Sequence, residues 1–471
     1  MRSWQRRSFI GLGMGAALTS GLTPSLFAGT TASTSQAAAV PPVARARQVL
    51  IVLEQGGVSH VDTWDPKPET VAEHRSPYKP IDTSAPGVQF TELMRHTSRH
   101  ADKLAVVRSM THKLGGHPEG TAFVLQGAIP GGPLQMPDMG TAVAHIAGSP
   151  NPQLPPYVMI PGNGEQSYNT SYGFLSAGLK VFKTGGRDLS APGWKVNDLG
   201  FLAGVDNRRF RDRQDLLSNL DVGLTASVDT ANTGSSQTME KLFRQAFDML
   251  GNPQTQAAFD LSTEPEPLRE AYGRGHRGQC YLLGRKLIES GVRTVVLDVR
   301  EPETKQTPGG FNMNWDHHDL IYSTGSCGTI RDKAGGEGRY GIGTWQMMGS
   351  TDQAFGALLE DMSQRGLLHE TLVCFVTEFG RTPKLNQFQG RDHWPYAYSI
   401  AFAGAGVRGG QVIGKTDRDG GYVLDQAFSP IDCAATIYTM LGIDLDQPVY
   451  TREHRPVFLA HDGAMISKLV S

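Results

Sequence analysis

Residues 370–383 read ETLVCFVTEFGRTP, an apolar run that ends in a carboxylate. A near-continuous run of this kind is typical of a strand that is buried on both faces of a sheet. Glu378 follows the predicted strand, and Arg381 stands three residues further on, where its guanidinium can pair with an anion. Because ligands of open α/β sheets bind outside the carboxyl ends of the strands, the segment predicts a site. A surface pair of Glu378 and Arg381 across a turn is the alternative.

Similar apolar runs alternate along the chain with longer segments of helical spacing. This order predicts an α/β fold, with a mostly parallel sheet between layers of helices. Helices are expected at 351–365 and 430–441, with Gly366 and Gly442 as stops and with Ser350 and Gln353 as a capping box at the first. The further strands are predicted at 49–53, 104–107, 157–160, 294–299 and 400–403.

The charge balance and the cysteines exclude some classes of protein. The chain has 471 residues, with 44 Lys and Arg against 46 Asp and Glu, a formal net charge of -2. This balance argues against a nucleic-acid partner, which normally selects a basic surface. The 4 cysteines include no CxxC spacing, so neither a zinc knuckle nor a redox motif is indicated. Cys374 and Cys433 are expected to be buried free thiols.

The first 39 residues have the layout of a twin-arginine export signal and a linker. Arg6 and Arg7 precede a mildly apolar run at 11–18. A short amphipathic helix or a membrane anchor is the alternative, but Gly, Ser, Thr and Pro interrupt the run before the roughly 20 apolar residues that a span needs. We therefore expect a periplasmic or secreted protein with no membrane span in the mature chain.

Two segments place potential metal ligands close together in sequence. Residues 54–65 read EQGGVSHVDTWD, in which His60 and Asp62 can face one cavity and offer nitrogen and oxygen ligands. The alternative is a glycine-rich turn that caps a helix. Residues 314–319 read NWDHHD and include Asp316 and His318. Such a cluster also occurs by chance in solvated loops.

A further segment, GRDHWP at 390–395, contains His393 between an aspartate and a tryptophan. The neighbouring carboxylate of Asp392 can orient the imidazole, although a packed structural histidine is the alternative. Together with Glu378, these loops supply Asp, Glu and His from separate parts of the chain. A metal site on a doubly wound sheet is assembled in this way.

The order of these elements resembles the alkaline phosphatase and sulfatase superfamily. The resemblance rests on a helix at 351–365, a turn at 366–368 and a strand that ends in an acidic residue, followed by His393 and another strand. Phe379 stands where that superfamily has a metal histidine. Three motifs, GGVSHVDTWD at 56–65, WDHHD at 315–319 and EFGRTP at 378–383, resemble more narrowly the exported family called domain of unknown function 1501. The resemblance implies an alkaline-phosphatase-like domain at 47–462, with an inserted cap segment at about 163–262.

The resemblance also implies a function, which is metal-dependent hydrolysis of phosphate or sulfate esters. The helix that presents the superfamily's nucleophile corresponds to 116–127, and counting back from Gly127 reaches His117. His117 is therefore the expected acid/base or nucleophile, Thr121 is a hydroxyl about one turn further along, and Arg381 balances the substrate's charge. The expected ligands of one or two divalent ions, Zn or Ca, are His60 or Asp62 with Asp316, His318, Glu378 and His393.

An alternative function is binding without catalysis. No Ser, Thr or Cys occupies the nucleophile's place, so the chain is also consistent with a degenerate member that binds an anionic glycan or a protein partner. For the hydrolase, the expected substrate is an anionic ester, such as a sulfated or phosphorylated glycan.

The export signal yields a direct prediction. The double substitution Arg6→Lys and Arg7→Lys should hold the precursor inside the cell, because the translocase reads the paired guanidinium groups. Cell fractionation and immunoblotting measure the periplasmic yield. An unchanged yield would contradict the predicted localisation.

Overall fold

The structure is a computed structural model that describes residues 45–161, 170–185, 188–196, 199, 208, 209, 212, 215, 216, 252–299, 315–324, 326, 327 and 339–470. The described residues belong to one compact unit. The predicted export signal at 1–39 lies outside them, as does most of the predicted insertion at 163–262, so both stay predictions. Among the described residues, no helix has the length and apolar character that a membrane crossing requires.

The centre of the fold is a sheet, in which the described residues form eight strands. Numbered along the chain, they stand in the order β8-β2-β7-β6-β1-β5-β3-β4 from one edge to the other. Their bounds are β1 (Gln48–Leu53), β2 (Leu104–Met110), β3 (Tyr157–Pro161), β4 (Phe182–Lys183), β5 (Thr294–Asp298), β6 (Thr371–Val376), β7 (Tyr398–Ala403) and β8 (Gln411–Ile413).

The sheet is mostly parallel, as predicted. β1 pairs in parallel with both β5 and β6, and the pairs β3–β5, β3–β4 and β2–β8 are also parallel. Only β7 runs against its two neighbours, β6 and β2, within the described sheet. Each predicted strand is confirmed to within three residues at either end.

Small antiparallel ribbons surround the sheet. The pair formed by Gly380–Arg381 and His393–Trp394 matters most for function, and is called the site ribbon below. The others join Pro80–Asp82 to Gln89–Thr91, Ser326–Cys327 to Arg339–Tyr340, Lys415–Thr416 to Val423–Asp425, and Val449–Tyr450 to Pro456–Val457.

Helices cover both faces of the sheet. The described α-helices are α1 (His117–Gln126), α2 (Met139–Ala147), α3 (Pro253–Phe259), α4 (Glu266–Tyr272), α5 (His276–Glu289), α6 (Ser350–Gln364) and α7 (Pro430–Met440). Side chains of β1 alternate between two cores because the side-chain period of a strand is two. Leu50 and Val52 pack with α5 and α6, whereas Val49, Ile51 and Leu53 pack with α1, α2 and α7.

The two predicted helices end as their glycines predict, but one start is different. Gly366 and Gly442 both have positive φ values, 72° and 78°, which suits the residue that follows a helix. The predicted capping box at Ser350 and Gln353 is wrong, because α6 begins at Ser350 itself. The Gln353 amide instead donates to the carbonyl of Glu270, 3.0 Å away, and so joins α6 to α4.

The cysteines behave as ordinary core residues. Cys280, Cys374 and Cys433 are free and buried, which confirms the expectation for the last two. Burial raises the pKa of the Cys433 thiol to about 12, so this sulfur stays protonated and unreactive. The side chain of Cys327 lies outside the described residues.

A buried carboxylate joins the sheet to the loop that carries the candidate site. Glu54 directly follows β1, and Arg277 of α5 donates to both of its oxygens, at 2.9 and 2.7 Å. The Tyr281 hydroxyl and the Trp315 indole also donate to Glu54, each at 2.7 Å. A buried charge is tolerated only when it is paired and hydrogen-bonded in this way. These bonds fix Trp315, the residue before Asp316.

The Glu54–Arg277 pair gives a stability prediction. Arg277→Ala leaves a buried carboxylate without its cation and should lower the free energy of unfolding by about 3–5 kcal/mol. The matched control is Arg47→Ala, which breaks a pair with Glu370 whose side chains are 73% and 56% exposed. Its cost should stay below about 1 kcal/mol. Urea unfolding followed by tryptophan fluorescence measures both, and equal costs would contradict the role of Glu54.

Candidate metal centre

Several segments bring polar side chains to one edge of the sheet. Glu378 lies two residues beyond β6, and His117 begins the helix that follows β2. Asp316 and His318 lie in the chain beyond β5. His393 precedes β7, and because β7 is antiparallel, its start lies at the edge where its neighbours end. The candidate site therefore forms at the carboxyl edge of the parallel strands, as the sequence predicts.

One carboxylate oxygen is the centre of the cluster. Oδ1 of Asp316 lies 3.1 Å from Nε2 of His117, 2.9 Å from Nε2 of His318 and 3.0 Å from Nε2 of His393. Arg381 Nη2 donates to the same oxygen at 2.7 Å. The Nε2 atoms of His318 and His393 are 2.9 Å apart. The four clustered Asp and His side chains are 10% to 22% exposed, so the centre is sheltered but open to solvent.

The other nitrogen of each imidazole faces a hydrogen-bond acceptor. Nδ1 of His117 donates to Glu378 Oε1 at 2.7 Å, and Nδ1 of His318 donates to Asp392 Oδ1 at 2.8 Å. Nδ1 of His393 donates to the backbone carbonyl of residue 115 at 2.6 Å. In a neutral imidazole, a proton on Nδ1 leaves a lone pair on Nε2. Three Nε2 atoms therefore converge on one carboxylate oxygen.

The charges around Asp316 also favour a cation. Burial alone raises the pKa of Asp316, but the Arg381 guanidinium and the bonds from the histidines hold it far below its ordinary value. Burial lowers the pKa of His117, yet its bonds to Asp316 and Glu378 raise that pKa overall. Burial dominates at His393 and lowers its pKa. The site thus favours a positive charge next to Asp316.

This donor set fits a divalent metal ion. One ligand atom from each of His117, Asp316 and His393 lies within 4.8 Å of the others, and Nε2 of His318 lies 2.9 Å from Asp316 Oδ1. Imidazole nitrogen with carboxylate oxygen is a typical ligand set for zinc. Calcium prefers six to eight oxygen ligands, so of the two expected metals zinc fits better.

Glu378 is held by the first strand loop. The backbone N–H of Gly56 donates to Glu378 Oε1 at 2.7 Å, and Thr377 donates to Oε2 at 3.2 Å. Burial raises the pKa of Glu378, but the bonds from His117 and from the backbone lower it overall, so it stays ionised. A Cβ on residue 56, where φ is 108°, would lie 2.6 Å from the backbone nitrogen of Trp315. Only glycine permits this close approach.

Arg381 joins the loops rather than facing solvent. It is fully buried, and it donates to the carbonyl of Gly57 at 3.1 Å and to that of Arg391 at 2.9 Å. It also donates to the carbonyl of Gly56 and to Asp316. The expectation that Arg381 balances the charge of a substrate therefore does not match its place, because a buried guanidinium with four acceptors does not reach a ligand.

Phe379 packs against the cluster. Its ring centroid lies 4.6 Å from that of His393 and 5.0 Å from that of His117. The Phe379 ring thus helps to orient two of the imidazoles.

The structure does not bring His60 and Asp62 to the cluster. His60 Nε2 bonds to the carbonyl of Gly420 at 2.7 Å. Asp62 accepts from Arg391 Nε at 2.9 Å and from Tyr322 at 2.8 Å, and the Asp62–Arg391 pair is fully buried. This pair fixes the loop that leads to Asp392 and His393. Thr121, the expected hydroxyl, is fully buried within α1.

Two partners in the cluster were not predicted. Asp392 orients His318, whereas the sequence paired it with the adjacent His393. His393 Nδ1 donates instead to the backbone carbonyl of residue 115. Adjacency in sequence suggested the first assignment, but no sequence pattern marks a backbone carbonyl as an acceptor.

Comparison with known proteins assigns the chain to a family. The family model described as "Protein of unknown function (DUF1501)" matches residues 46–470. The chain belongs to this family. The resemblance seen in its three motifs is thereby confirmed. A search of curated proteins found no match.

Several solved structures resemble the DUF1501 protein at low sequence identity. The lipoteichoic acid synthase LtaP from Listeria monocytogenes has a TM-score of 0.37 and 11% identity, covering 86% of this chain and 74% of its own. The phosphonate monoester hydrolase SpPMH from Silicibacter pomeroyi has a TM-score of 0.38 and 11% identity, and the match covers 90% of this chain and 76% of the hydrolase. The PsFucS1 sulfatase from Pseudoalteromonas sp. has a TM-score of 0.36 and 10% identity, and the match covers 86% of this chain and 70% of the sulfatase. Likeness at this level of TM-score and identity says nothing about the reaction of the DUF1501 protein.

The cluster should bind metal as a unit. His318→Ala and His393→Ala should each lower zinc affinity by more than the roughly 10–100-fold that loss of an outer hydrogen-bond partner costs. The matched control is His461→Ala, whose side chain is 71% exposed. Elemental analysis after dialysis against a zinc buffer measures the bound metal. Full zinc content in both cluster variants would rule out this centre.

Proposed function

We propose that the DUF1501 protein is a metal-dependent hydrolase of phosphate or sulfate esters. The observation that carries the proposal is the convergence of three imidazole Nε2 atoms on one oxygen of Asp316, while each Nδ1 donates elsewhere. When the imidazoles are neutral, their Nε2 lone pairs repel the carboxylate oxygen, and a metal ion bound between them would remove this repulsion.

The residues that would hold the metal are His117, His318, His393 and Asp316. A bound zinc ion would polarise an ester oxygen and lower the pKa of a water molecule. Glu378, expected from the sequence as a ligand, takes a different role in this proposal. It accepts the Nδ1 proton of His117 and so fixes the tautomer that presents Nε2.

Water is the nucleophile in this proposal. Both nitrogens of His117 contact carboxylates, at 2.7 and 3.1 Å, so the ring is not free to attack an ester. The Thr121 hydroxyl is buried inside α1 and does not face solvent. His117 therefore acts as a ligand rather than as the acid/base or nucleophile.

The start of α1 supports an anionic substrate. His117 is the first residue of this ten-residue helix, and Gly116 precedes it as the N-cap. The positive end of the helix dipole favours negative charge at this point. Because Arg381 is occupied by Asp316, the helix start and the metal would together carry the charge of the ester.

Binding without catalysis is the second candidate function, and the four-ligand set is the observation that favours it. Three histidines and one aspartate can fill all four positions around zinc, which is typical of structural sites, whereas catalytic sites keep one position open. Under this hypothesis the DUF1501 protein binds an anionic glycan or a protein partner.

We also infer that the DUF1501 protein acts outside the cytoplasm. The inference rests on the twin arginines at 6 and 7 and on the apolar run that follows them. A sulfated or phosphorylated glycan is the substrate class that suits this location.

Turnover separates the two candidate functions. The zinc-loaded protein should hydrolyse 4-nitrophenyl phosphate or 4-nitrophenyl sulfate. Glu378→Gln should keep the hydrogen bond to His117 but lose its charge, which should reduce turnover roughly 10–100-fold. The control Glu370→Gln changes a carboxylate that is 56% exposed and should have no effect.

Release of 4-nitrophenol measures the outcome directly. If the zinc-loaded wild type cleaves neither ester, the hydrolase proposal fails and the binding function becomes the better one. If Glu378→Gln and Glu370→Gln behave alike, the role given to Glu378 is wrong.

A further inference from the structure

Three aromatic side chains form a group around Trp394, which follows His393 on the site ribbon. The ring centroids of Trp394 and Tyr396 are 4.9 Å apart, those of Trp394 and Tyr422 are 5.5 Å apart, and those of Tyr396 and Tyr422 are 6.1 Å apart. Tyr396 is 42% exposed and Tyr422 is 55% exposed. We call these three residues the aromatic platform.

The platform is held in place by its own neighbours. The Trp394 indole N–H donates to the carbonyl of Gly421 at 2.5 Å, which fixes the plane of the ring. Asp417 accepts from the backbone N–H of Gly421 at 2.7 Å and from that of Tyr422 at 3.1 Å. These bonds join the site ribbon to the hairpin that carries Tyr422. A rigid surface of this kind loses little conformational entropy when it binds a ligand.

The site ribbon sets the distance between the platform and the metal centre. His393 and Trp394 are consecutive on one strand, opposite Arg381 and Gly380 respectively. Consecutive side chains of a strand leave on opposite faces, and their Cα atoms are about 3.8 Å apart. The Trp394 side chain therefore leaves the ribbon on the face opposite His393, and the platform lies across a ribbon that is two strands wide from the cluster. A ligand that contacts both must extend beyond a single small group.

We propose that the aromatic platform binds a sugar ring of a glycan whose neighbouring unit presents its charged ester to the metal centre. This inference rests on the proposed function. The C–H face of a pyranose ring is apolar and carries partial positive charge, which complements the negative face of an aromatic ring. Indole and phenol rings also have polar edges that hydrogen-bond to hydroxyl groups, and the platform contains only such rings.

The size of the platform favours a sugar over a protein. The centroids are 4.9 to 6.1 Å apart and the Trp394 ring stands at 72° to both tyrosine rings, so the group is compact and offers separate ring faces. A stable protein interface instead buries about 800 Å² on each partner. The extended shape required to cross the site ribbon also fits an oligosaccharide.

Binding to an array of neutral, sulfated and phosphorylated oligosaccharides tests the proposal without requiring catalysis. The wild type should bind at least one oligosaccharide, and Trp394→Ala and Tyr422→Ala should each weaken that binding about tenfold or more. The control is Tyr450→Ala, which removes a tyrosine of similar exposure, 58%, from a different ribbon. Zinc content must stay at the wild-type level in all three variants, which shows that the neighbouring His393 is undisturbed.

The outcomes separate this inference from the proposed function. His393→Ala should lose zinc and turnover yet still bind the desulfated or dephosphorylated form of the oligosaccharide. Failure of the wild type to bind any oligosaccharide would overturn the inference, as would equal binding by Tyr422→Ala and Tyr450→Ala. Self-association of the wild type that Tyr422→Ala abolishes would assign the platform to a second copy of the chain instead.

Discussion

The arrangement of the candidate site depends on one electrostatic constraint, the convergence of three imidazole Nε2 atoms on one carboxylate oxygen. Each Nε2 lies within 3.1 Å of Asp316 Oδ1, and each Nδ1 has an acceptor of its own. Like partial charges held this close in a sheltered place are unfavourable, so the arrangement requires a positive charge. Arg381 supplies one such charge to Asp316, and a divalent metal would supply the charge that the histidines need.

The rest of the edge is built to hold that constraint. Glu54 fixes Trp315 and therefore Asp316, and the glycine at 56 lets the first strand loop lie against the same backbone. The buried Asp62–Arg391 pair fixes the loop before His393. Loops that meet at the end of a sheet have few backbone bonds of their own, so buried ion pairs give them a defined shape.

Most of the fold could be predicted from the sequence, because strands buried on both faces have continuous apolar runs. Thr371–Val376 is the clearest example. Phe182–Lys183 and Gln411–Ile413 have no such run, since they are short edge strands, and their pairing depends on tertiary contacts. Ser350 and Gln353 fit the capping pattern, but Trp345–Gly349 already form a helical turn before them, so Ser350 lies inside the helix rather than at its cap.

The candidate site was only partly predictable for a related reason. A cluster such as WDHHD shows which ligands are present, but which nitrogen faces the centre depends on partners far away in sequence. Glu378 accepts a hydrogen bond from His117, which lies 261 residues away in sequence, and no local pattern predicts this contact. The position of Asp62 two residues after His60 suggests a metal ligand. In the structure Asp62 accepts a hydrogen bond from Arg391, which lies 329 residues away in sequence.

X-ray absorption spectroscopy at the zinc edge of the zinc-loaded protein tests the central claim most directly. The account predicts imidazole scattering from three histidines, with Zn–N distances of about 2.0–2.1 Å and one carboxylate oxygen at about 2.0–2.2 Å. The imidazole count should fall to two in His318→Ala. A zinc shell made only of oxygen, or an imidazole count that His318→Ala leaves unchanged, would contradict the account.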